Sequence, residues 1–167
     1  GQLRINIAQS RAENYIRYTD YNTSQVGVTY NDKNGTWLRT SFTSMADDVV
    51  VTKLDKSSNG AKLNLTLSYD DLSTLANFGD SDEKNMKYTK LADNSGDYLA
   101  LVSHYPNHKK SELKNGGYAT VTYIITSGGT KKRVTLDKNI DESQFTSENA
   151  GVKITDADSV YLLTVSE

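Results

Sequence analysis

Three clusters of neighbouring carboxylates are the first places where this sequence could do chemistry. They are Asp47-Asp48, Asp70-Asp71, and Asp80 with Asp82 and Glu83. Hydrolysis of a glycosidic bond uses two carboxyl groups held roughly 5–10 Å apart across a cleft. Consecutive strand residues point to opposite faces of a sheet, so Asp47 and Asp48 make a poor pair within a strand. We therefore interpret all three clusters as solvated loop residues.

Metal-ligating patterns are equally sparse. Asp80, Asp82 and the nearby Asn85 fall short of the six or more oxygens that Ca²⁺ takes, and the glycine and closing Glu of a regular calcium loop are missing. His104 and His108 are the only histidines, and Pro106 between them disfavours a helix that would place both on one face. The chain has no Cys, which excludes thiol catalysis, zinc-thiolate sites and disulfides. We predict no catalytic residue, no metal site and no cofactor.

Aromatic and arginine side chains near the start of the chain are better candidates for ligand binding. Flat rings stack on sugar faces, and flanking arginines bond sugar hydroxyls. The five candidate ligand-binding residues are Tyr15, Arg17, Tyr21, Trp37 and Arg39. The alternative interpretation, which we favour, is that these rings cover a sandwich face or an interdomain contact, where amphipathic aromatic rings are common.

The charge balance argues against nucleic acid as a partner, and the lack of long apolar runs argues against a membrane-spanning helix. The 167 residues include 19 basic and 21 acidic side chains, interspersed, with a formal net charge of -2. Lys109-Lys110 and Lys131-Lys132-Arg133 are short runs that we interpret as solvated loops rather than phosphate sites. Nucleic acid is therefore not a predicted partner. No apolar run approaches the ~18 residues that a membrane helix needs, so a membrane is not predicted either.

A meander of four strands is predicted for residues 14–54, because apolar residues there recur every second position. Val26, Val28 and Tyr30 share one face of an extended segment. Leu38, Thr40 and Phe42 share a face opposite Trp37, Arg39 and Ser41. Residues 31–35, Asn-Asp-Lys-Asn-Gly, have the composition of a hairpin turn, since Asn, Asp and Gly tolerate positive φ. Val49-Val50-Val51 is apolar on both faces, which predicts a strand buried between two layers.

The remaining sequence continues in the same way, with a turn signal every 8–12 residues. We predict an all-β antiparallel β-sandwich (supersandwich) of about twelve strands, forming a single domain over residues 1–167. Residues 72–76 and 141–149 are expected to hold at most single helical turns. Residues 70–84 and 105–117 are the longest predicted loops. We also expect the chain to be a piece of a larger multidomain protein, because it opens within a strand.

The order of these segments resembles the N-terminal domain of glycoside hydrolase family 95, the α-L-fucosidases and some α-L-galactosidases. The resemblance covers most of the chain. Its landmarks are Tyr15-Ile16-Arg17, Asp20-Tyr21-Asn22, the strand ending at Tyr30, Arg39-x-x-Phe42-x-Ser44 and Asp48-Val49-Val50-Val51, followed by a strand ending in Gly128-Gly129 and by Ala157-Asp158-Ser159-Val160. Thr19-Asp20-Tyr21 stands where the family has a Leu-Asp-Leu pattern, and the segment that normally opens the domain is missing.

The resemblance implies a β-supersandwich that precedes a helical (α/α)6 catalytic barrel. The catalytic carboxylate of such enzymes lies in the barrel, so the implied function is a non-catalytic accessory domain of a secreted or cell-surface enzyme. Its partner would be that barrel, and the two long loops could reach the active-site rim. Two alternatives stay open: an autonomous carbohydrate-binding module, and an adhesin-like surface domain with a protein partner.

Overall fold

A computed structural model describes residues 2–7, 11–70, 87–104, 116–137 and 148–167. Within these ranges the chain forms twelve β-strands and no helix. The strands are β1 (Gln2–Ile7), β2 (Glu13–Asp20), β3 (Gln25–Asp32), β4 (Gly35–Ser44), β5 (Val49–Asp55), β6 (Leu63–Asp70), β7 (Lys87–Ala92), β8 (Tyr98–His104), β9 (Gly117–Ser127), β10 (Thr130–Thr135), β11 (Ala150–Ala157) and β12 (Ser159–Ser166).

The strands form two antiparallel sheets of unequal size. The smaller sheet has four strands in the order β1-β6-β11-β10, and the larger has eight in the order β2-β3-β4-β5-β12-β9-β8-β7. This confirms the predicted all-β antiparallel sandwich of about twelve strands and the four-stranded meander, which is β2 to β5. The predicted helical turn at 72–76 lies outside the described residues, as does most of the one at 141–149; Glu148 and Asn149 are not helical.

The hydrophobic core lies between the two sheets, where β6 and β11 pack against β7 and β8. Alternate residues of each strand point inward, as the period of two predicts. The largest fully buried apolar side chains are Tyr69, Tyr88, Leu63, Leu67, Leu99, Leu101, Ile124, Ile154 and Leu162. Burial of each Leu or Ile side chain contributes roughly 1.5–3 kcal/mol, so this set accounts for much of the driving force. We call the side of the larger sheet that faces this core its inner face, and the opposite side its outer face.

Hydrogen bonds between buried polar side chains cross the core in the described part of the chain. The hydroxyl groups of Tyr69 in β6 and Thr122 in β9 lie 2.6 Å apart, and both residues are buried. The ammonium group of Lys90 in β7, a residue that is 2% exposed, donates a hydrogen bond of 2.7 Å to the side-chain oxygen of Asn149. Buried polar groups are tolerated when they are hydrogen-bonded, and such bonds fix the relative position of the sheets.

A compact corner forms where β9 turns into β10 and β11 turns into β12. Gly128 and Gly129 in the first turn have φ angles of 66° and 67°. One carboxylate oxygen of Asp158, in the second turn, accepts hydrogen bonds of 2.6 Å from both Lys56 and Lys62. These two ion pairs lower the pKa of Asp158 to about 2. The segment between β5 and β6 is thereby tied to the β11–β12 turn.

The valine run in β5 departs from its prediction. It was expected to be buried between two layers, yet Val50 is 45% exposed and Val49 and Val51 are only half-buried. Val51 lies on the outer face, which no layer of the described residues covers. Val50 lies on the inner face beyond the reach of the smaller sheet. Apolar residues on both faces therefore mark a strand whose outer side is exposed, not one enclosed in the core.

Candidate functional site

Part of the inner face has no covering layer among the described residues, because a sheet of eight strands overhangs one of four. The overhang consists of β2, β3 and β4, and residues that pair across neighbouring strands share a face. Arg17 in β2 is the partner of Val28 in β3, which is also the partner of Arg39 in β4. Two arginines therefore flank one valine on the inner face.

These side chains line a shallow cavity of about 520 Å³, which we call the arginine depression. It is lined by Arg17, Tyr18, Thr19, Val26, Gly27, Val28, Arg39 and Ser41. A second hollow of about 280 Å³ continues from it toward β1, and we call it the β1 groove. Ile5, Asn6, Ile7, Tyr15, Val28, Tyr30, Trp37, Leu38, Arg39, Leu54, Asp55 and Leu63 line this groove. Val28 and Arg39 border both hollows, so the two form one continuous surface.

Tyr15 and Arg17 form a small unit at the edge of the sheet. Arg17 Nε donates a hydrogen bond of 2.8 Å to the Tyr15 hydroxyl oxygen, and the guanidinium carbon lies 5.5 Å from the centre of the ring. The hydrogen bond to Tyr15 raises the pKa of Arg17 above its ordinary value. Tyr15 itself is 51% exposed, so its ring is open to solvent while its hydroxyl is oriented by the arginine.

Arg39 is exposed, and within the described part of the chain no hydrogen bond or ion pair holds its guanidinium group. It lies close enough to Tyr30 for its charge to favour the phenolate, although burial and the carboxylate of Asp32 outweigh it and raise the pKa of Tyr30. A guanidinium group carries five N–H donors in a planar fork that suits carboxylate, sulfate and phosphate oxygens. Arg39 therefore presents an uncommitted anion-binding group to both hollows.

The five candidate ligand-binding residues have different surroundings in the structure. Trp37 is only 6% exposed, and its indole Nε1 donates a hydrogen bond of 2.9 Å to Asp32, so it belongs to the core and cannot offer its ring face to a sugar. Tyr21 is 89% exposed but lies in the turn between β2 and β3, away from the hollows. Tyr15, Arg17 and Arg39 do come together on one face.

The carboxylates, basic runs and histidines considered in the sequence lie in strands or turns wherever the structure describes them, and several form hydrogen bonds or ion pairs. Asp47 accepts a hydrogen bond of 2.7 Å from Ser44 in an exposed turn, and Asp70 forms an ion pair of 2.5 Å with Arg4. Lys131 pairs with Asp97 and Arg133 with Glu148, at 2.5 and 2.7 Å. These two basic residues belong to strand β10 rather than to the predicted loop. His104 ends β8, whereas Asp71, Asp80, Asp82, Glu83, Asn85, His108, Lys109 and Lys110 lie outside the described residues.

The described residues provide neither a metal site nor a membrane-spanning helix. No group of three or more His, Cys, Asp or Glu side chains among them is placed to hold a metal ion. None of the elements found there is a helix long and apolar enough to cross a membrane.

Sequence analysis missed the outer face of the larger sheet as a surface. One row of cross-strand partners on it is apolar from end to end: Phe42, Val51, Leu163, Tyr123 and Tyr98. Neighbouring rows add Tyr161, Val165, Val121 and Ile125, which are 37–44% exposed. A contiguous apolar patch of this kind marks an interaction site. The apolar residues on both faces of β5 and β12 were the sequence signal for it.

A family model described as "Glycosyl hydrolase family 65, N-terminal domain" matches residues 1–166. The chain belongs to this family. No curated protein matched the chain in a second comparison. The family match confirms the coarser part of the resemblance, which placed the chain as an N-terminal domain of a glycoside hydrolase. It gives family 65 where the resemblance gave family 95, and it does not support the α-L-fucosidase assignment.

The two exposed surfaces of this glycosyl hydrolase N-terminal domain differ in character. The outer face is broad, flat and apolar, as an interface with another folded unit is. The arginine depression and the β1 groove are concave, with arginines, hydroxyls and one open tyrosine ring, as a small-ligand site is. Strand β4 contributes to both, because Ser41, which lines the depression, and Phe42, which belongs to the outer row, are consecutive and point to opposite faces.

Proposed function

We propose that this chain is the non-catalytic N-terminal accessory domain of a glycoside hydrolase, and that it docks on the catalytic domain of the same enzyme through its outer face. All 167 residues act as one domain in this proposal. The observation that carries it is the apolar row from Phe42 to Tyr98 across five strands. The family match supports the choice of partner, since an N-terminal domain of a glycosyl hydrolase accompanies a catalytic region.

The composition of the outer face fits a stable interface between domains. Aromatic residues are enriched at interface centres and charged residues are depleted there. Tyr123, which is 49% exposed, stands near the middle of the patch, and Lys53 is held at its side by an ion pair of 2.9 Å with Asp55. The Lys53 ammonium group also lies 5.6 Å from the centre of the Tyr161 ring. A second ammonium group, that of Lys131, lies 6.0 Å from the centre of the Tyr123 ring and is paired with Asp97, so both of these charges beside the patch are neutralised.

The finer proposal is an α-L-fucosidase-like enzyme whose catalytic domain is a helical barrel. It is supported by the order of landmarks in the sequence, above all Tyr15-x-Arg17 and Arg39-x-x-Phe42-x-Ser44. We expect the 167-residue chain alone to leave 4-nitrophenyl α-L-fucoside intact and the full-length gene product to hydrolyse it. Hydrolysis by the chain alone would contradict the accessory role, and a full-length enzyme active only on other glycosides would contradict the fucosidase type.

Docking is tested by producing this chain and the catalytic region as two proteins and measuring their association by calorimetry. Tyr123→Lys introduces a charge into the centre of the outer face and should abolish or strongly weaken the complex. Val26→Lys is the matched control, because Val26 is 52% exposed on the inner face. Equal affinity of the Tyr123→Lys variant and the unmodified chain would exclude the outer face as the docking surface. A complex between two copies of this chain would favour a surface interaction domain instead.

A further inference from the structure

We propose that the arginine depression and the β1 groove form a binding site for acidic carbohydrate, that is, for sugar residues that bear a carboxylate. The site lies on the inner face and is separate from the outer face through which docking is proposed. It gives the domain a second activity, and the two proposals can fail independently. Three features carry the inference: the charge of the depression, the open tyrosine ring beside it, and the arrangement of hydroxyl groups.

Charge is the first feature. Arg17 and Arg39 lie on either side of Val28 in the same register, so their guanidinium groups face the same cavity. Of the described residues that line the depression, none carries a carboxylate. The nearby Asp32 already accepts hydrogen bonds from the Trp37 indole and from the backbone of Asn34, and Asp55 at the end of the groove is paired with Lys53. The two arginines therefore have no carboxylate partner among the described residues that line the depression itself.

This local charge stands out because the chain as a whole has a formal net charge of -2. Non-specific attraction of polyanions is a property of proteins with an excess of positive charge. An anion that binds here must be attracted by the two arginines themselves. Arginine bonds a carboxylate through two parallel N–H···O contacts, which gives such a site geometric selectivity.

The surroundings of the arginines favour a sugar over a free inorganic anion. The exposed ring of Tyr15 lines the β1 groove, and the hydrogen bond and the cation–π contact from Arg17, which lines the depression, hold it in place. Such a ring offers a flat surface to the C–H face of a sugar. Thr19 and Ser41 on the depression and Asn6 on the groove supply polar groups that can bond hydroxyls. The volume of about 520 Å³ is within the roughly 300–1,000 Å³ of small-molecule sites.

The binding test uses a tetrasaccharide of galacturonic acid and its methyl ester, which has the same sugar rings without the charge. We expect calorimetry to show binding of the acid that weakens as salt concentration rises, and much weaker binding of the ester. Tetraglutamate serves as an anion that is not a sugar. Equal binding of acid and ester would overturn the role of the arginines, and tetraglutamate binding as well as the sugar would overturn the carbohydrate assignment.

Variants locate the site. Arg39→Gln should weaken binding of the acid by about tenfold, because it removes one charge-assisted pair, and Tyr15→Ala should weaken binding of both acid and ester. Arg133→Gln is the matched control: it changes the net charge equally but lies on β10 of the smaller sheet. Thermal unfolding of each variant verifies that it is folded. Equal losses for Arg39→Gln and Arg133→Gln, or no binding of the acid by the unmodified chain at about 10 mM ligand, would refute the proposal.

Discussion

The hydroxyl group of Tyr69 lies 2.6 Å from that of Thr122, and this hydrogen bond joins the two sheets inside the core. The Thr122 hydroxyl is also 2.8 Å from that of Thr164, so it has a second partner within the larger sheet. Tyr69 has only the one hydroxyl partner in the described part of the chain. The Thr122 hydroxyl therefore keeps a partner if Tyr69 is changed, whereas the Tyr69 hydroxyl loses its partner if Thr122 is changed. Burial raises the pKa of Tyr69.

Removal of the Tyr69 hydroxyl and removal of the Thr122 hydroxyl should lower the free energy of unfolding by different amounts. Tyr69→Phe leaves Thr122 bonded to Thr164 and should lower the free energy of unfolding by about 1 kcal/mol. Thr122→Val leaves the buried Tyr69 hydroxyl without a partner and should cost about 1–3 kcal/mol. Urea denaturation of the two variants measures both values. A larger loss for Tyr69→Phe than for Thr122→Val would mean that the hydroxyl of Tyr69 has another partner.

Gly129 should tolerate substitution far less well than Gly60, although both have positive φ, 67° and 82°. A Cβ atom at Gly129 would lie 2.3 Å from the Thr155 carbonyl oxygen and 2.6 Å from the Ala157 nitrogen, whereas one at Gly60 would meet nothing within 4 Å. Both alanine variants share a backbone cost of about 1 kcal/mol, and only Gly129→Ala adds a clash with backbone atoms. We expect Gly129→Ala to unfold at a clearly lower temperature. Similar unfolding temperatures would show that the β9–β10 turn can move away from β11.

Asp158 should make part of the stability of this domain depend on pH. Its pKa is lowered from 3.8 to about 2 by Lys56 and Lys62, so folding favours the ionised form. The stabilisation is fully present above about pH 4, the range of the unfolded carboxyl group, and is lost as the pH falls through about 2. Asp158→Asn should therefore lower the unfolding temperature at pH 6 and make little difference near pH 2.

Asp48→Asn is the control for this experiment, because Asp48 is exposed and has no ion-pair partner among the described residues. Differential scanning calorimetry from pH 6 to pH 2 compares the two variants with the unmodified chain. A gap between Asp158→Asn and the unmodified chain that stays constant across this range would show that the two lysines do not act through the carboxylate charge.

The outer face should bind hydrophobic dyes when the domain is isolated. An exposed apolar row gives such dyes a surface, so we expect anilinonaphthalene sulfonate fluorescence with the folded chain. Tyr123→Lys should reduce that fluorescence, and Val26→Lys, at an equally exposed apolar position on the inner face, should not. Both positions are exposed, so each change should alter the free energy of unfolding by no more than about 0.5 kcal/mol. If both variants reduced the fluorescence equally, the dye would not be bound at the outer face, and the prediction would be wrong.

The strands could be predicted from sequence because alternation fixes which side chains share a face. The register of Val28 with Arg39, for example, follows from the hairpin between them. What alternation cannot supply is which face another layer covers. Trp37 and Tyr15 are both aromatic residues of the meander that line the β1 groove, yet Trp37 is 6% exposed and Tyr15 is 51% exposed. The size of the overhang depends on contacts between strands far apart in sequence. These contacts determine how exposed each candidate ligand-binding residue is.

The same limit explains the misassigned valines. An apolar run such as Val49-Val50-Val51 fits a strand that is covered on both faces within the domain. It fits equally well a strand with one apolar face that no other part of the domain covers. Composition is identical in the two cases, because both need apolar side chains in two directions. The strand pairing distinguishes the two cases, because it leaves Val51 on the face that no layer of the described residues covers.

Ser41 and Phe42 are neighbours in β4 that point in opposite directions, and this has a geometric consequence for the two proposals made above, a glycan on one side of the sheet and the enzyme on the other. Stacked sheets lie about 10 Å apart, so a glycan held against Ser41 would be kept at least one layer away from any body seated on Phe42. The sheet would act as a spacer. It would hold a long acidic chain near the enzyme without blocking the cleft in which cleavage takes place.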